Sequence, residues 1–190
     1  MTYVDRLLQK WRIRKVTPYI KKGMKVLDIG GADGLLFTFS QNCVSGSVGI
    51  DPSLPADTSL PGGYHLKKGF FPNDLPDQSG PFDAVVMLAV LEHFPTDQHT
   101  ILASGIAQFL RPGGLLLITV PSAMVDHILP ILVKLRLIHG MSLEEHHGYD
   151  VTHTQNIFPP PHFELVLHQR FQLGLNNFFI FKRNNTTLTA

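Results

Sequence analysis

Cysteine is almost absent: Cys43 stands alone in 190 residues. No disulfide framework is possible, so the fold has to be held by an apolar core, for which this length suffices. No run approaches the roughly 18 uninterrupted apolar residues of a membrane span. The opening "MTYVDRLLQKWRIRKV" also lacks the apolar centre of a secretory leader. One soluble, cytoplasmic domain is the expectation. Acids are scarce at the start. Asp5 alone faces Arg6, Lys10, Arg12, Arg14, Lys15, Lys21, Lys22 and Lys25, so the rest of the chain is net acidic. An acidic body argues against a nucleic-acid partner, which needs a broad basic surface. The basic start reads as a solvated helix face or as a contact with an anionic membrane.

Repeats and low-complexity segments are missing too, and what remains is a regular alternation. Val4, Leu7, Leu8, Trp11 and Ile13 recur at mostly helical spacing over residues 3–16. "KVLDIG" reads as a buried strand, "GLLFTFSQN" as a short helix and "SVGIDPS" as a second strand stopped by Pro52. "YHLKKG" is a weaker third strand and "FDAVVMLAV" a strongly apolar fourth. "TDQHTILASGIAQFL" is a helix capped by Thr96 or Asp97, "RPGG" a turn, and "LLLITVPS" a fifth strand. Apolar runs alternating with helices predict an α/β fold whose parallel sheet has helices on both faces.

After Pro121 the rhythm changes. Residues 123–138 form an apolar helical pattern divided by Pro130. It suits core packing, an apolar acceptor pocket, a partner chain or a membrane surface. "HFELVLHQRF" and "NNFFIFKR" are separated only by "QLGL", which permits an antiparallel hairpin and forbids a parallel crossover. Five parallel strands ending in an antiparallel pair are therefore predicted. The expected divisions are a basic helix (1–22), a ligand-binding core (23–122), a cover (123–163) and the hairpin (164–183).

In such a sheet ligands sit beyond the carboxyl ends of the strands, at the switch point. The first strand feeds that point with "DIGGADG". A phosphate loop is excluded because no Lys-Ser or Lys-Thr follows Gly34. A dinucleotide fingerprint fails in both registers: from Gly30 the later glycine positions hold Ala32 and Leu35, and from Gly31 they hold Asp33 and Leu36. Asp33 at the helix start would also repel a pyrophosphate. What remains is D-x-G-x-x-x-G on Asp28, Gly30 and Gly34. It points to a nucleoside without phosphates, carrying a positive part near Asp28. Asp51, ending the second strand before Pro52, is placed to accept both ribose hydroxyls, or else simply forms a turn with Pro52.

These segments, "VLDIGGADG", "VGIDPS", "FDAVVMLAVLEHFP" and "LRPGGLLLITVPS", span about residues 24–122. In that order they resemble the class I S-adenosylmethionine-dependent methyltransferases, which have a Rossmann-like doubly wound sheet. The resemblance implies S-adenosylmethionine as cofactor. Its methionine part would be held by Asp28 and by the backbone of Gly30, Gly31, Ala32 and Gly34. Its ribose would meet Asp51 beside Pro52, and its ammonium the Leu88 carbonyl. Many members have glycine where Ala32 stands, and an acid after the third strand for the adenine amino group. Here "KKGFFPNDLPD" offers Phe70 and Phe71 as apolar contacts to the adenine, or as core, with Asp74 the less favoured acid.

For the chemistry, His93 in "LEHF" is the candidate base at the ligand end, with Glu92 orienting it or packing against the glycine loop. "LEH" resembles the branch acting on quinone precursors and small metabolites. The extra acid of metal-using members is replaced by Ala89, so no metal is expected. In "EEHHGYD", His146, His147 and Tyr149 are candidates for acceptor recognition, with Asp150 and His153 nearby; zinc spacing is lacking. Trp11 packs as core or closes over the cofactor with its helix. The reading is methyl transfer to a small-molecule acceptor, oxygen first. Macromolecule methylation and a non-catalytic cofactor-binding scaffold are the rivals, and a nicotinamide ligand is the further alternative.

Overall fold

The computed structural model describes residues 3–40, 42–43, 45–122 and 150–185. Helix α1 (Tyr3–Val16) carries Asp5 in its first turn and Arg14 and Lys15 in its last, the charge order its dipole favours. It closes on a single turn of 3-10 helix over Thr17–Tyr19, where Pro18 stops it. Strand β1 (Val26–Ile29) is buried at every residue and runs into helix α2 (Leu35–Phe39). Then come β2 (Val48–Asp51), β3 (Thr58–Leu60), β4 (Tyr64–Lys68) and β5 (Phe82–Leu88). Helix α3 (His99–Phe109) leads into β6 (Leu110–Pro121), and the short helix α4 (Thr154–Ile157) precedes the hairpin of β7 (Phe163–Phe171) and β8 (Asn176–Arg183).

The strands form one sheet in the order β3-β4-β2-β1-β5-β6-β8-β7. Strands β4, β2, β1, β5 and β6 are parallel, with Leu27 opposite Val48 on one side and Val85 on the other. Strand β8 runs antiparallel to β6, and β7 antiparallel to β8. The predicted Rossmann-like α/β sheet with its terminal hairpin is present. From β1 the chain winds outward through β2 and β4, then returns to β5 on β1's other side, which makes the carboxyl ends of β1 and β5 the switch point.

Alternation along the central strands divides the core into two layers. Val85 and Met87 of β5 pack with Leu27, Ile29, Leu116 and Ile118 under Leu102, Ile106 and Phe109 of α3. Ala84 and Val86 face the other way, with Val26 and Leu117, toward Ile13 and Val16 of α1 and Leu36 and Phe37 of α2. Both faces are thus covered, as the apolar runs require.

Four expectations change. Strand β3 was not anticipated: "TSL" is short and exposed, and it adds antiparallel to β4 as an edge. "RPGG" is not a turn ahead of its strand but an irregularity inside β6. A step of two residues along β5, from Phe82 to Ala84, spans the five-residue step from Leu110 to Leu115 there, and Arg111 Nε donates to Asp83 Oδ1 at 2.6 Å. Helix α3 begins at His99 after a 3-10 turn over Thr96–Gln98, without a side-chain cap from Thr96 or Asp97. Trp11 is not core but 44% exposed, because Ile13 and Val16 take the inward face of α1. The apolar pattern of 123–138 lies outside the described residues.

Candidate active site

Four chain reversals meet at the carboxyl ends of the parallel strands. After β1, Gly30 takes φ 83 and its N–H donates to Ile50 O at 2.8 Å, pinning the glycine loop to β2. A side chain on Gly31 would put its Cβ 2.3 Å from Asp28 Oδ2, so only glycine lets the loop fold back over that carboxyl. Asp33 Oδ1 accepts from Leu35 N at 3.0 Å, starting α2. Asp28 is 5% exposed. Burial raises its pKa well above the usual carboxylate range, and the charges of Asp33 and Asp51 raise it further.

After β2, Asp51 Oδ1 accepts from Ser53 N at 2.7 Å and from Ser53 Oγ at 2.6 Å. Among the described residues no bond reaches Oδ2. After β4, Asp74 Oδ2 accepts from Phe70 N at 2.7 Å, closing the 69–74 loop. That loop separates two adjacent aromatics. Phe71 is buried against Phe109, with ring centroids 5.9 Å apart, while Phe70 is 67% exposed. Gly105 of α3 permits the close approach, since a Cβ there would meet Pro72 at 2.7 Å.

After β5, Ala89 adopts φ 57 and its N–H bonds Thr119 at both the backbone O (2.8 Å) and Oγ1 (3.1 Å). A non-glycine residue in the left-handed region is a site of strain, here held by the neighbouring strand. A 3-10 turn over Leu91–His93 follows. It buries Leu91 and Glu92 and leaves His93 exposed.

These reversals enclose a cleft of about 900 Å³, lined on one side by Gly30, Asp51 and Pro52 and on the other by Phe70, Phe71 and Asp74. Ala89, Val90, His93, Ile101 and Leu102 complete it. The structure therefore gathers Gly30, Asp51, Pro52, Phe70, Phe71 and His93 of the predicted residues at one cavity. Asp28 of β1, and Gly31, Ala32 and Gly34 of the loop after it, are not among its lining residues, and neither is half-buried Leu88, which ends β5. His146, His147 and Tyr149 lie outside the described residues. Asp150 and His153 sit at the entry to α4, where Asp150 Oδ1 accepts from Thr152 N at 2.9 Å and Oδ2 stands 4.0 Å from His153 Nε2. No group of three metal-ligating side chains occurs among the described residues.

The sequence reading missed a polar cluster between α1 and this floor. Glu92 Oε2, Arg12 Nε and Gln9 Oε1 are buried with no hydrogen-bond partner among the described residues. Burial lifts the Glu92 carboxyl to about 7, against the opposing pull of Arg12. Burial likewise lowers Arg12, opposed by Glu92 and Asp5. Gln9 reaches the glycine loop itself, through Nε2 to Asp33 Oδ2 at 2.8 Å. The available signal was Arg12 beside Ile13, a cation next to the apolar face of its helix. Ile101, 53% exposed on α3, was the other missed residue; its signal was an isoleucine at the cleft end of a helix.

A parallel sheet with a glycine turn at its switch point, an acid ending the second strand and an apolar facing wall is an α/β arrangement with its cleft where such sheets hold ligands. The sequence matches the methyltransferase domain family over residues 2–170, and the chain belongs to that family. No curated protein matches it. Among solved structures it is similar to magnesium protoporphyrin IX methyltransferase from Synechocystis PCC 6803, solved with bound SAH. That similarity has a TM-score of 0.68 and 16% identity over 97% of this chain and 89% of the other. An S-adenosylmethionine-dependent methyltransferase from Mesorhizobium loti gives 0.65 and 15%, over 90% and 95%. The N-methyltransferase NodS from Bradyrhizobium japonicum WM9 gives 0.60 and 14%, over 95% and 99%.

Proposed function

We propose that the protein is an S-adenosylmethionine-dependent methyltransferase acting on a small molecule, with oxygen as the acceptor atom. The observation that carries the reading is Asp51: its Oδ1 is fixed by Ser53, and its Oδ2 has no bond among the described residues, at the wall of the switch-point cleft. Solved methyltransferases of the same fold with bound SAH or SAM support the cofactor.

The residues present fit that group. S-adenosylmethionine supplies a methyl on a sulfonium, a good leaving group, together with a nucleoside that carries no phosphate. Asp51 accepts from the two ribose hydroxyls. Gly30 and Gly31 let main chain approach without a Cβ in the way. Phe70 covers an adenine face, while Phe71 anchors the loop in the core. The Leu88 carbonyl accepts from the ammonium, and a cation near Asp28 favours the charged form that burial, and then the charges of Asp33 and Asp51, disfavour. Arg12, with its buried and unpartnered Nε, supplies positive charge for the methionine carboxylate.

In-line transfer needs mainly alignment, which by itself is worth roughly 7–11 kcal/mol. His93 at the cleft takes, on a ring nitrogen, the proton that a hydroxyl acceptor releases. A phenolic acceptor, already a weak acid, needs less help in losing its proton than an aliphatic alcohol does. Small-metabolite chemistry of the "LEH" kind, and acceptor contacts from His146, His147 and Tyr149, belong to the same reading.

The test is incubation with methyl-labelled cofactor and cell extract. Label is expected in the small-molecule fraction. His93→Ala should lower its rate by about 100-fold or more, with SAH affinity unchanged. Label in protein or nucleic acid would make it a macromolecule methyltransferase. Cofactor binding with no label anywhere would make it a scaffold.

A further inference from the structure

Helix α1 turns large apolar side chains outward. Ile13 and Val16 fill its buried face, while Leu7 is 49% and Trp11 44% exposed. Positions 7, 11 and 14 are four and three apart, so Leu7, Trp11 and Arg14 share one side of the helix. Cations surround the stripe: Arg6 and Arg14 are exposed on α1, and Lys21 and Lys22 follow beyond Pro18. The β7–β8 turn lies beside the same helix, since Gln172 Nε2 donates to Leu8 O at 3.0 Å. The next residue, Leu173, is 91% exposed and held at φ 58. Turn chemistry favours glycine or asparagine at such a position, so turn formation does not account for a leucine there.

We propose that this face, α1 with the β7–β8 tip, docks the protein on an anionic lipid bilayer. Charge complementarity selects that occupant. The first 25 residues carry one acid, Asp5, against a run of lysines and arginines, while the rest of the chain is net acidic. Each cation brought near an anionic leaflet gains roughly fivefold in affinity. Tryptophan sits at headgroup depth, and arginine and lysine stems lie along the apolar boundary with their charges in water. Duplex nucleic acid would use the cations but leave Leu7 and Leu173 in water. A second copy of the chain on a two-fold axis would set these cations against themselves.

Trp11 is the chain's single tryptophan, so its emission reads the contact directly. The full chain is mixed with vesicles of phosphatidylcholine, alone or with about a third phosphatidylglycerol. A blue shift and co-sedimentation with the anionic vesicles only are expected, reversed near 1 M salt, where screening shortens to about 3 Å. Arg6→Glu with Arg14→Glu should weaken binding roughly a hundredfold. Leu173→Ser should weaken it several-fold with the circular dichroism unchanged. Four results would overturn the proposal: no shift with either vesicle, an equal shift with neutral vesicles, emission already blue in the free protein, or preferential capture by duplex DNA. SAH binding by the same preparation shows that the chain is folded and reports on the cofactor site separately.

Discussion

The β1–β2 wall of the cleft carries Gly30 and Asp51, whereas the facing wall presents Phe70, Phe71, Ile101 and Leu102. The facing wall's one carboxylate, Asp74, is tied to the Phe70 N–H. Next to the first wall, burial raises Asp28 well above the usual carboxylate range, and the charges of Asp33 and Asp51 raise it further. A ligand that fills both walls has a hydroxylated, positively charged end and a flat apolar end, and a nucleoside sulfonium has both. The difference also separates two kinds of residue within one wall. Phe71 is buried and Phe70 is exposed at the cleft, although they are adjacent in sequence.

Truncating those two aromatics gives the widest contrast. Phe71→Ala should cost about 3–5 kcal/mol of stability in a urea titration. Phe70→Ala should stay within about 0.5 kcal/mol. Equal losses would erase the distinction between anchor and contact.

The acid side is tested by pH. Glu92 rises from 4.5 to about 7 on folding, so between those values the folded protein holds a proton that the unfolded chain has released. Stability should therefore fall as pH climbs from about 4.5 to about 7, by about 3 kcal/mol in all, and level off above. Asp28, also raised, adds to the same slope. Glu92→Gln should flatten it; an unchanged slope would mean that Glu92 is not the buried proton carrier.

Gly31→Ala tests the close approach on the same wall. Its Cβ would lie 2.3 Å from the Asp28 carboxylate, so about 1–3 kcal/mol of stability should be lost. A neutral outcome would show the loop free to shift. The smallest effect belongs to the ligand-facing ring: Phe70→Ala should weaken SAH binding about tenfold, by loss of base–aromatic stacking. Unchanged affinity would move the adenine elsewhere.

Much of this arrangement was legible because the chain writes its core in long apolar runs. Strands β1, β2, β5 and β6 are buried on both faces, and their stops, Gly30, Pro52 and Pro121, are conformational. Strand β3 was not legible, because an exposed three-residue edge leaves no apolar period. Trp11 misled because size suggests burial, whereas its place on the helix is set by Ile13 and Val16. The partition of Phe70 from Phe71 depends on Asp74 and on the Pro72–Gly105 contact, which no local pattern contains. Glu92 and Arg12 meet only when α1 folds across the sheet, some 80 residues of sequence apart. Among the described residues no helix is long and apolar enough to cross a membrane.

The most direct measurement is a calorimetric titration of SAH into the wild-type chain, Asp51→Ala and Asp51→Asn. Saturable one-to-one binding is predicted for the wild type. Asp51→Ala should weaken it roughly 100-fold, the scale of about 3 kcal/mol for charge-assisted bonds to two hydroxyls. Asp51→Asn, which can still accept from Ser53, should fall in between with its melting temperature unchanged. Equal affinity in all three proteins would contradict the account, because Asp51 would then not be what grips the nucleoside.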